Sequence, residues 1–219
     1  NVAYTIYDRL ISLMNIELFR FPLLAGICSS VGGLSKPVSI HSTKTLLDYT
    51  SNLKSIKEIE NFAVDLVKVG ELSEKQSYLS IPFLKTLYTL LSNQIFDALV
   101  SDEYSFGFDI SSLVRRKIRA CGDIRKLFEI TEVLTGLLPF EGKARNIIFK
   151  CFLSLLSHKY PKVRQLASEQ LYLGLITYEN TLSIRKEKIM EILSETAWEK
   201  EELTSIKPKV IEISNYLKQ

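Results

Sequence analysis

The sequence predicts an all-α protein, an α-solenoid in which helical hairpins stack side by side. Apolar residues recur at three- and four-residue steps along most of the 219 residues, which is the period of helices with one buried face. The chain has only 9 glycines and 6 prolines, too few for a fold built from tight turns between strands. Short connectors separate about ten to twelve predicted helices, as antiparallel neighbours in a solenoid require.

The clearest hairpin lies in residues 144–178, on either side of a polar elbow at 157–161. Proline lacks an amide donor and suits the first turn of a helix, so the elbow's proline predicts the start of the second helix. That helix has the spacing of a HEAT repeat. The positions that carry the motif are Pro161, Val163, Arg164, Ala167 and Leu171. Such a hairpin cannot bury both faces alone, which predicts a stack of HEAT/armadillo-like hairpins. Two ordinary core helices of an unrelated helical domain remain the alternative.

The N-terminal part of the chain predicts four further helices. Gly32 predicts the end of the second, because glycine readily takes the left-handed conformation that closes helices. Gly70 predicts the end of the fourth, and a polar connector is expected at residues 71–78. In order, these helices cover residues 4–14, 17–31, 38–49 and 56–70.

The middle of the chain predicts a helix that begins at Pro82, a loop at residues 101–107 and a helix over 110–120. Asp123 is a natural N-cap for the next helix, because its carboxylate can accept the free amides of a first turn. Gly136 predicts the end of that helix. Further caps are predicted at Ser183 and at Thr204 or Ser205.

Composition indicates one folded domain over residues 1–219. The hydrophobic fraction is 46% and the charged fraction 24%, which is ordinary for a folded soluble protein, and no internal linker interrupts the pattern. The net charge of +3 gives no case for bulk nucleic-acid binding. The apolar run at residues 21–34 is too short to span a bilayer. Because the chain opens with Asn1 in mid-pattern, we expect a fragment of a longer protein.

The cysteines and histidines predict no disulfide framework and no metal site. Cys28, Cys121 and Cys151 form no C-x-x-C pair and lie beside apolar positions, which indicates buried thiols in a reducing compartment. His41 and His158 are far apart and have no partners at ligand spacing.

The search for catalytic motifs is negative, and the sequence predicts a protein that is not an enzyme and holds no cofactor. It contains no G-x-G-x-x-G after a strand, no phosphate loop of the Walker type, no G-x-S-x-G and no H-E-x-x-H. The paired acids, such as Glu58 and Glu60, fit solvated helix faces better than acid/base pairs.

One basic run departs from the even mixture of charges elsewhere. Its residues are Arg115, Arg116, Lys117 and Arg119, followed by Arg125 and Lys126. It fits a solvated face with cations favoured by the helix dipole. It also fits a docking patch for an acidic partner, since clustered charge steers association.

Trp198 is the only tryptophan in the chain. It is a candidate anchor for a partner, because aromatic residues are enriched at binding hot spots. A lone tryptophan at a helix end more often packs back on its own hairpin.

An ordered set of short phrases along the chain resembles one family, the tubulin-specific chaperone D (tubulin-folding cofactor D) family. The strongest phrase is HKYPKVR at residues 158–164, followed by QLY at 170–172 and LITY at 175–178. The others are SVGGL at 30–34, HST at 41–43, LLDY at 46–49, IPFLKTL at 81–87, DIRKL at 123–127, and LS with TAW at 193–198.

The resemblance implies the C-terminal portion of a large HEAT-repeat chaperone of the cytoplasm and microtubule cytoskeleton. Members of this family bind β-tubulin and, with tubulin cofactors C and E and an Arf-like small GTPase, assemble or take apart the αβ-tubulin dimer. GTPase activation occurs within that complex, and the nucleotide belongs to the partners. The family supplies no catalytic residue. From the residues alone, a HEAT-repeat scaffold or transport adaptor, importin-like or phosphatase-adaptor-like, remains the alternative.

Overall fold

The computed structural model describes residues 2–119, 121–178 and 185–218. Within these ranges the chain forms eleven α-helices and no β-strand, which confirms the predicted all-α class. In order, the helices are α1 (Val2–Ser12), α2 (Glu17–Val31), α3 (Lys36–Ser51), α4 (Ile56–Lys75), α5 (Ser77–Ser92), α6 (Ser105–Ile118), α7 (Ile124–Leu137), α8 (Gly142–Leu156), α9 (Pro161–Thr177), α10 (Lys186–Glu195) and α11 (Leu203–Lys218). Short 3-10 helices lie at Leu13–Asn15 and Asp97–Leu99.

Consecutive hairpins stack in two layers. In one layer α4 packs on α6 and α6 on α8, and in the other α5 packs on α7 and α7 on α9. The two layers meet within the hairpins α4–α5, α6–α7 and α8–α9. Helix α2 packs against both α4 and α5, and α3 and α1 lie beyond it. This arrangement is the predicted α-solenoid of HEAT-like hairpins.

The last hairpin joins the stack in reverse order. Helix α10 packs on α9 and α11 packs on α8, so the first helix of this hairpin continues the layer that holds the second helices of the others. The connection between α10 and α11 lies against the start of α9, where Arg164 donates hydrogen bonds to the carbonyl oxygens of Trp198 and Glu201.

The buried apolar side chains form one continuous cluster between the two layers, from the 3-10 helix after α1 to α11. A row of aromatic rings runs through part of it. The ring centroids of Phe62 and Phe96 are 6.1 Å apart, those of Phe96 and Phe106 are 4.3 Å apart, and those of Phe106 and Phe140 are 5.8 Å apart. These rings tie α4, α6 and the two connectors beside them into the same core.

Glycines lie at several contacts between neighbouring hairpins, and four of them join helices within one layer. A Cβ atom at Gly70 would lie 2.7 Å from Cδ1 of Leu113, and one at Gly136 would lie 2.9 Å from Cβ of Leu91. Both distances are shorter than real Cβ atoms show, so alanine at either position would require a neighbouring side chain or helix to shift. The four contacts join α4 to α6 (Gly70), α6 to α8 (Gly107), α5 to α7 (Gly136) and α7 to α9 (Gly174).

The predicted end of α4 at Gly70 is wrong, because the helix continues to Lys75 and occupies most of the expected connector at 71–78. Gly70 is inside the helix, where its missing side chain makes room for Leu113 and Phe83. Glycine is used at this position for a close contact between helices, and it does not end the helix.

The predicted start of α5 at Pro82 is also wrong. The helix begins at Ser77, directly after Gln76, and Pro82 lies in its interior. Gly32 has φ −88° and ψ 7°, so it does not take the left-handed conformation that was predicted for it. It packs on Pro82 instead, and a Cβ atom at Gly32 would collide with the backbone of that proline.

Two other boundaries differ. Helix α6 begins at Ser105, inside the predicted loop at 101–107, and packs its Gly107 against Phe140. Helix α11 begins at Leu203, so Thr204 and Ser205 lie in its first turn and do not precede it. The predicted cap at Ser183 lies outside the described residues, as does Ala120, the predicted end of the helix over 110–120.

Candidate functional site

The basic run on α6 does not form one patch. Arg116 points to α4, where its Nε donates to Oε1 of Glu74 at 3.1 Å and its Nη2 donates to Oε2 at 3.2 Å. This bidentate contact with the Glu74 carboxylate raises the pKa of Arg116. The charge of Arg116 is thus already matched within the protein.

Lys117 is buried and is not available to a partner. Its side chain is only 5% exposed, its Nζ donates to Oγ of Ser73 at 2.6 Å, and it lies 5.6 Å from the centroid of the Phe83 ring. Burial, with a smaller contribution from the nearby charge of Lys126, lowers the pKa of Lys117 to about 8. Lys117 therefore has no exposed charge to offer a partner. It follows Leu113 by four residues and Val114 by three, so it lies on the buried stripe of α6.

Arg115 and Arg119 lie in a groove between α6 and α8, together with Lys150 of α8 and Lys159 of the elbow. We call this surface the basic groove. Its volume is about 520 Å³. It is lined by Arg115, Ile118, Arg119, Cys121, Gly122, Lys150, Cys151, Ser154, His158 and Lys159. All four cationic side chains belong to exposed residues, and among the described residues no aspartate or glutamate lines the groove.

The Cys151 thiol in the lining of the basic groove is not a nucleophile at neutral pH. Burial raises the pKa of the Cys151 thiol to about 12, although the nearby Arg115 lowers it slightly, so the thiolate is absent at neutral pH. Burial, with the neighbouring charges of Lys159 and Arg164, lowers the pKa of His158, which leaves its imidazole neutral at pH 7. Nδ1 of His158 accepts a hydrogen bond from the backbone N–H of Tyr160 at 3.2 Å. These groups fit ligand contact better than catalysis.

Arg125 and Lys126 lie at the start of α7, beside the groove but not among its lining residues. Oδ1 of Asp123 accepts hydrogen bonds from their backbone N–H groups, at 2.9 Å from Arg125 and 3.4 Å from Lys126. Asp123 is therefore the N-cap of α7, as predicted. Arg125 is exposed and Lys126 is half-buried.

Trp198 is 1% exposed, so it does not present an aromatic anchor on the surface. Its indole Nε1 donates to the carbonyl oxygen of Leu193 at 2.9 Å, at the end of α10. The ring packs back on its own hairpin, which was the alternative that the sequence offered. Trp198 therefore has no exposed ring surface for a partner to contact, because the core covers it.

The residues of the HEAT spacing lie at the start and on the buried stripe of α9. Pro161 is the first residue of the helix. Val163, Ala167 and Leu171 are fully buried, and Arg164 is 3% exposed. The Arg164 guanidinium donates to three carbonyl oxygens, those of Trp198 at 2.9 Å and of His158 and Glu201 at 3.0 Å.

The contributions of Lys150 and Lys159 to the basic groove were missed from the sequence. They lie more than 30 residues after Arg115 along the chain. The stacking of α6 on α8 brings them together. The repeat itself was the signal that could have found them, because the first helices of successive hairpins are neighbours in a solenoid.

Within residues 2–119, 121–178 and 185–218, no helix combines the length and the apolar composition that crossing a membrane requires. No group of three or more histidine, cysteine, aspartate or glutamate side chains there could hold a metal ion.

Comparisons with known proteins found a matching family model and a similar, longer protein. A family model described as "Tubulin folding cofactor D C terminal" matches residues 1–126. The chain is similar to the tubulin-specific chaperone D of Dictyostelium discoideum, with 27% identity over 174 residues and coverage of 73% of this chain. The chain spans 12% of the length of that relative. No solved structure matches the chain.

Proposed function

Since the chain belongs to the tubulin folding cofactor D C-terminal family, we propose that it is the C-terminal domain of a tubulin-folding cofactor. In this proposal it binds β-tubulin and helps to assemble and take apart the αβ-tubulin dimer. Tubulin cofactors C and E and an Arf-like small GTPase are its partners in the reaction.

The family match over residues 1–126 is the observation that carries this proposal, and the tubulin-specific name of the relative agrees with it. The two-layered stack of hairpins supports a binding role, because a solenoid presents a long surface on which a large partner can lie. The sequence has no phosphate loop, so we propose that GTP is bound and hydrolysed on the partners and that this chain is not itself an enzyme. Its contribution to GTPase activation is then to hold the partners together.

We further propose that residues 1–219 act as one domain in the cytoplasm, associated with the microtubule cytoskeleton. The continuous apolar cluster from the first to the last hairpin supports the single domain. Among the cations that the sequence singled out, the exposed Arg115, Arg119 and Arg125 are the proposed docking residues. Arg116 is exposed too, but Glu74 already neutralises it.

Size-exclusion chromatography with purified αβ-tubulin, at low and moderate salt, tests the proposal. We expect the chain to co-elute with tubulin and to separate from it as salt rises, because salt screens exposed charges. An unrelated acidic protein of similar size is the control and should elute separately. Separation from tubulin at low salt would contradict direct binding by this domain. Capture of a transport cargo or a phosphatase, in place of tubulin and an Arf-like GTPase, would favour the scaffold or adaptor alternative.

A further inference from the structure

We propose that the basic groove is a binding site for an extended protein segment rich in aspartate and glutamate. The segment is defined by its chemistry, whether or not tubulin supplies it. The site contains Arg115 and Arg119 together with Lys150 and Lys159, which the sequence did not single out.

The first support is charge that the protein does not neutralise. At another place where two cations converge they are neutralised, since Arg20 and Lys68 share the buried carboxylate of Asp65. In the basic groove four cations converge, and none forms an ion pair with a carboxylate in residues 2–119, 121–178 or 185–218. Like charges held together repel each other, and a ligand that carries carboxylates relieves this repulsion.

The second support is that helix dipoles do not account for the whole arrangement. Arg115, Arg119 and Lys159 lie near the C-terminal ends of α6 and α8, where the partial negative charge of the helix favours cations. That effect fades beyond the last turn. Lys150 lies more than one turn before the end of α8 at Leu156, yet it lines the same groove. The positive charge therefore extends along the groove and is not confined to the two helix ends.

The third support is the shape and lining of the groove. Its walls are two stacked helices, and its lining includes the apolar Ile118 and Cys151 side chains. An extended backbone can enter such a groove, cover the apolar lining and place its carboxylates beside the cations at the walls, whereas a flat protein surface cannot. Nucleic acid fits less well, because none of the described phenylalanine, tyrosine or tryptophan residues lines the groove as a stacking surface and the chain carries a net charge of only +3.

The test measures binding of a fluorescent peptide of alternating glutamate and glycine to the whole chain by fluorescence anisotropy at low salt. In the groove variant, Arg115→Gln, Arg119→Gln, Lys150→Gln and Lys159→Gln are combined. An exposed ion pair contributes about 0.2–1 kcal/mol, so each change should weaken binding up to about fivefold and the combination by at least about fourfold.

The matched control has the same loss of charge outside the groove. It combines Lys36→Gln, Lys44→Gln, Lys143→Gln and Lys207→Gln, four exposed residues that do not line the groove. It should bind the peptide within about twofold of the unmodified chain, because distant exposed charges are screened. Circular dichroism should show the same helical content in both variants, since every changed side chain is exposed.

A charge exchange gives a second, independent readout. The single variant Lys150→Glu should lose affinity for the glutamate peptide and should bind a lysine–glycine peptide better than the unmodified chain does. Equal losses in the groove and control variants, or unchanged binding in both, would overturn the proposal. Tighter binding of a single-stranded RNA of equal charge, lost in the groove variant, would also overturn it and assign the groove to nucleic acid.

Discussion

Burial of the Lys117 ammonium group costs free energy at neutral pH. Its pKa is about 8 in the folded protein, below the ordinary value of 10.5, chiefly because the side chain is buried. The folded state therefore binds this proton more weakly than the unfolded state does. The resulting destabilisation is complete below about pH 8, decreases as pH rises from there, and is absent above the unfolded pKa of 10.5.

Replacing Lys117 by methionine should therefore stabilise the protein at pH 7, by about 2 kcal/mol. Ser73 keeps a hydrogen bond after the change, because its Oγ still donates to the carbonyl oxygen of Gly70 at 2.6 Å. Urea denaturation at pH 7 and at pH values up to 10 measures the difference, which should shrink as pH rises. A methionine variant less stable than the unmodified chain at pH 7 would contradict this account.

Arg164 fixes the segment between α10 and α11 to the start of α9. Changing it to lysine should destabilise the protein by about 2–4 kcal/mol, because an ammonium group cannot reach the three carbonyl oxygens that the guanidinium serves. Hydrogen exchange should increase most in residues 185–218. The neighbouring exposed change Lys162→Gln is the control and should alter neither quantity. Unchanged exchange in the last hairpin would show that other contacts hold it.

The roles of single residues were only partly predictable from the sequence. The cap at Asp123 was predictable, because a carboxylate before a helical stripe has one common use. The burial of Lys117 follows from its spacing to Leu113 and Val114, but its three basic neighbours in the sequence obscured that pattern. The hydrogen bonds of Arg164 to the last hairpin could not be predicted, because two of its three acceptors are carbonyl oxygens more than 30 residues away.

At the scale of one helix, the N-cap of α7 gives a direct test. Changing Asp123 to alanine should lower the free energy of unfolding by about 1 kcal/mol, because the N–H groups of Arg125 and Lys126 lose their acceptor. Changing it to serine, which also caps helices, should recover most of the loss. Thermal and urea denaturation measure both variants. Equal stability of the alanine and serine variants would contradict the assigned role.

Helix boundaries were less predictable than the helices themselves. Gly70 and Pro82 both resemble helix ends in a sequence, yet each lies inside a helix. Gly70 is used for a tight contact with Leu113 and Phe83, and Pro82 supports the backbone of Gly32. Both uses depend on tertiary neighbours, which a local pattern does not contain. By contrast, Pro161 begins its helix as predicted, because it follows a polar elbow that no helix could bury.

At the scale of the whole molecule, the continuous core predicts cooperative unfolding. Trp198 is the only tryptophan and is buried in the last hairpin, so its fluorescence reports that end of the stack. Far-ultraviolet circular dichroism reports all the helices. We expect the two signals to change at the same urea concentration, as they do when a domain unfolds as one unit. An earlier change in fluorescence would show that the last hairpin unfolds separately, and would contradict a single domain over residues 1–219.

The arrangement of whole helices was the most predictable feature, and the groove between them the least. Repeated apolar stripes with short connectors leave few alternatives to a stack of hairpins. The convergence of Arg115 and Lys150 depends on the rotation of α6 and α8 about their axes, and the sequence fixes that rotation only through packing. The sequence therefore identified a basic element but not the surface that it forms.

Glycines at four of the hairpin contacts also bear on how closely neighbouring hairpins approach each other. Gly70 and Gly107 bring the helices of one layer close together, and Gly136 and Gly174 do the same in the other layer. Alanine at Gly70 would meet the ends of the Leu113 and Phe83 side chains, and alanine at Gly136 would meet Cβ of Leu91, so a side chain or a helix would have to shift at each position. At each of the four positions glycine has a hydrogen atom where every other residue carries a Cβ atom, and the neighbouring hairpin occupies the space that this difference leaves.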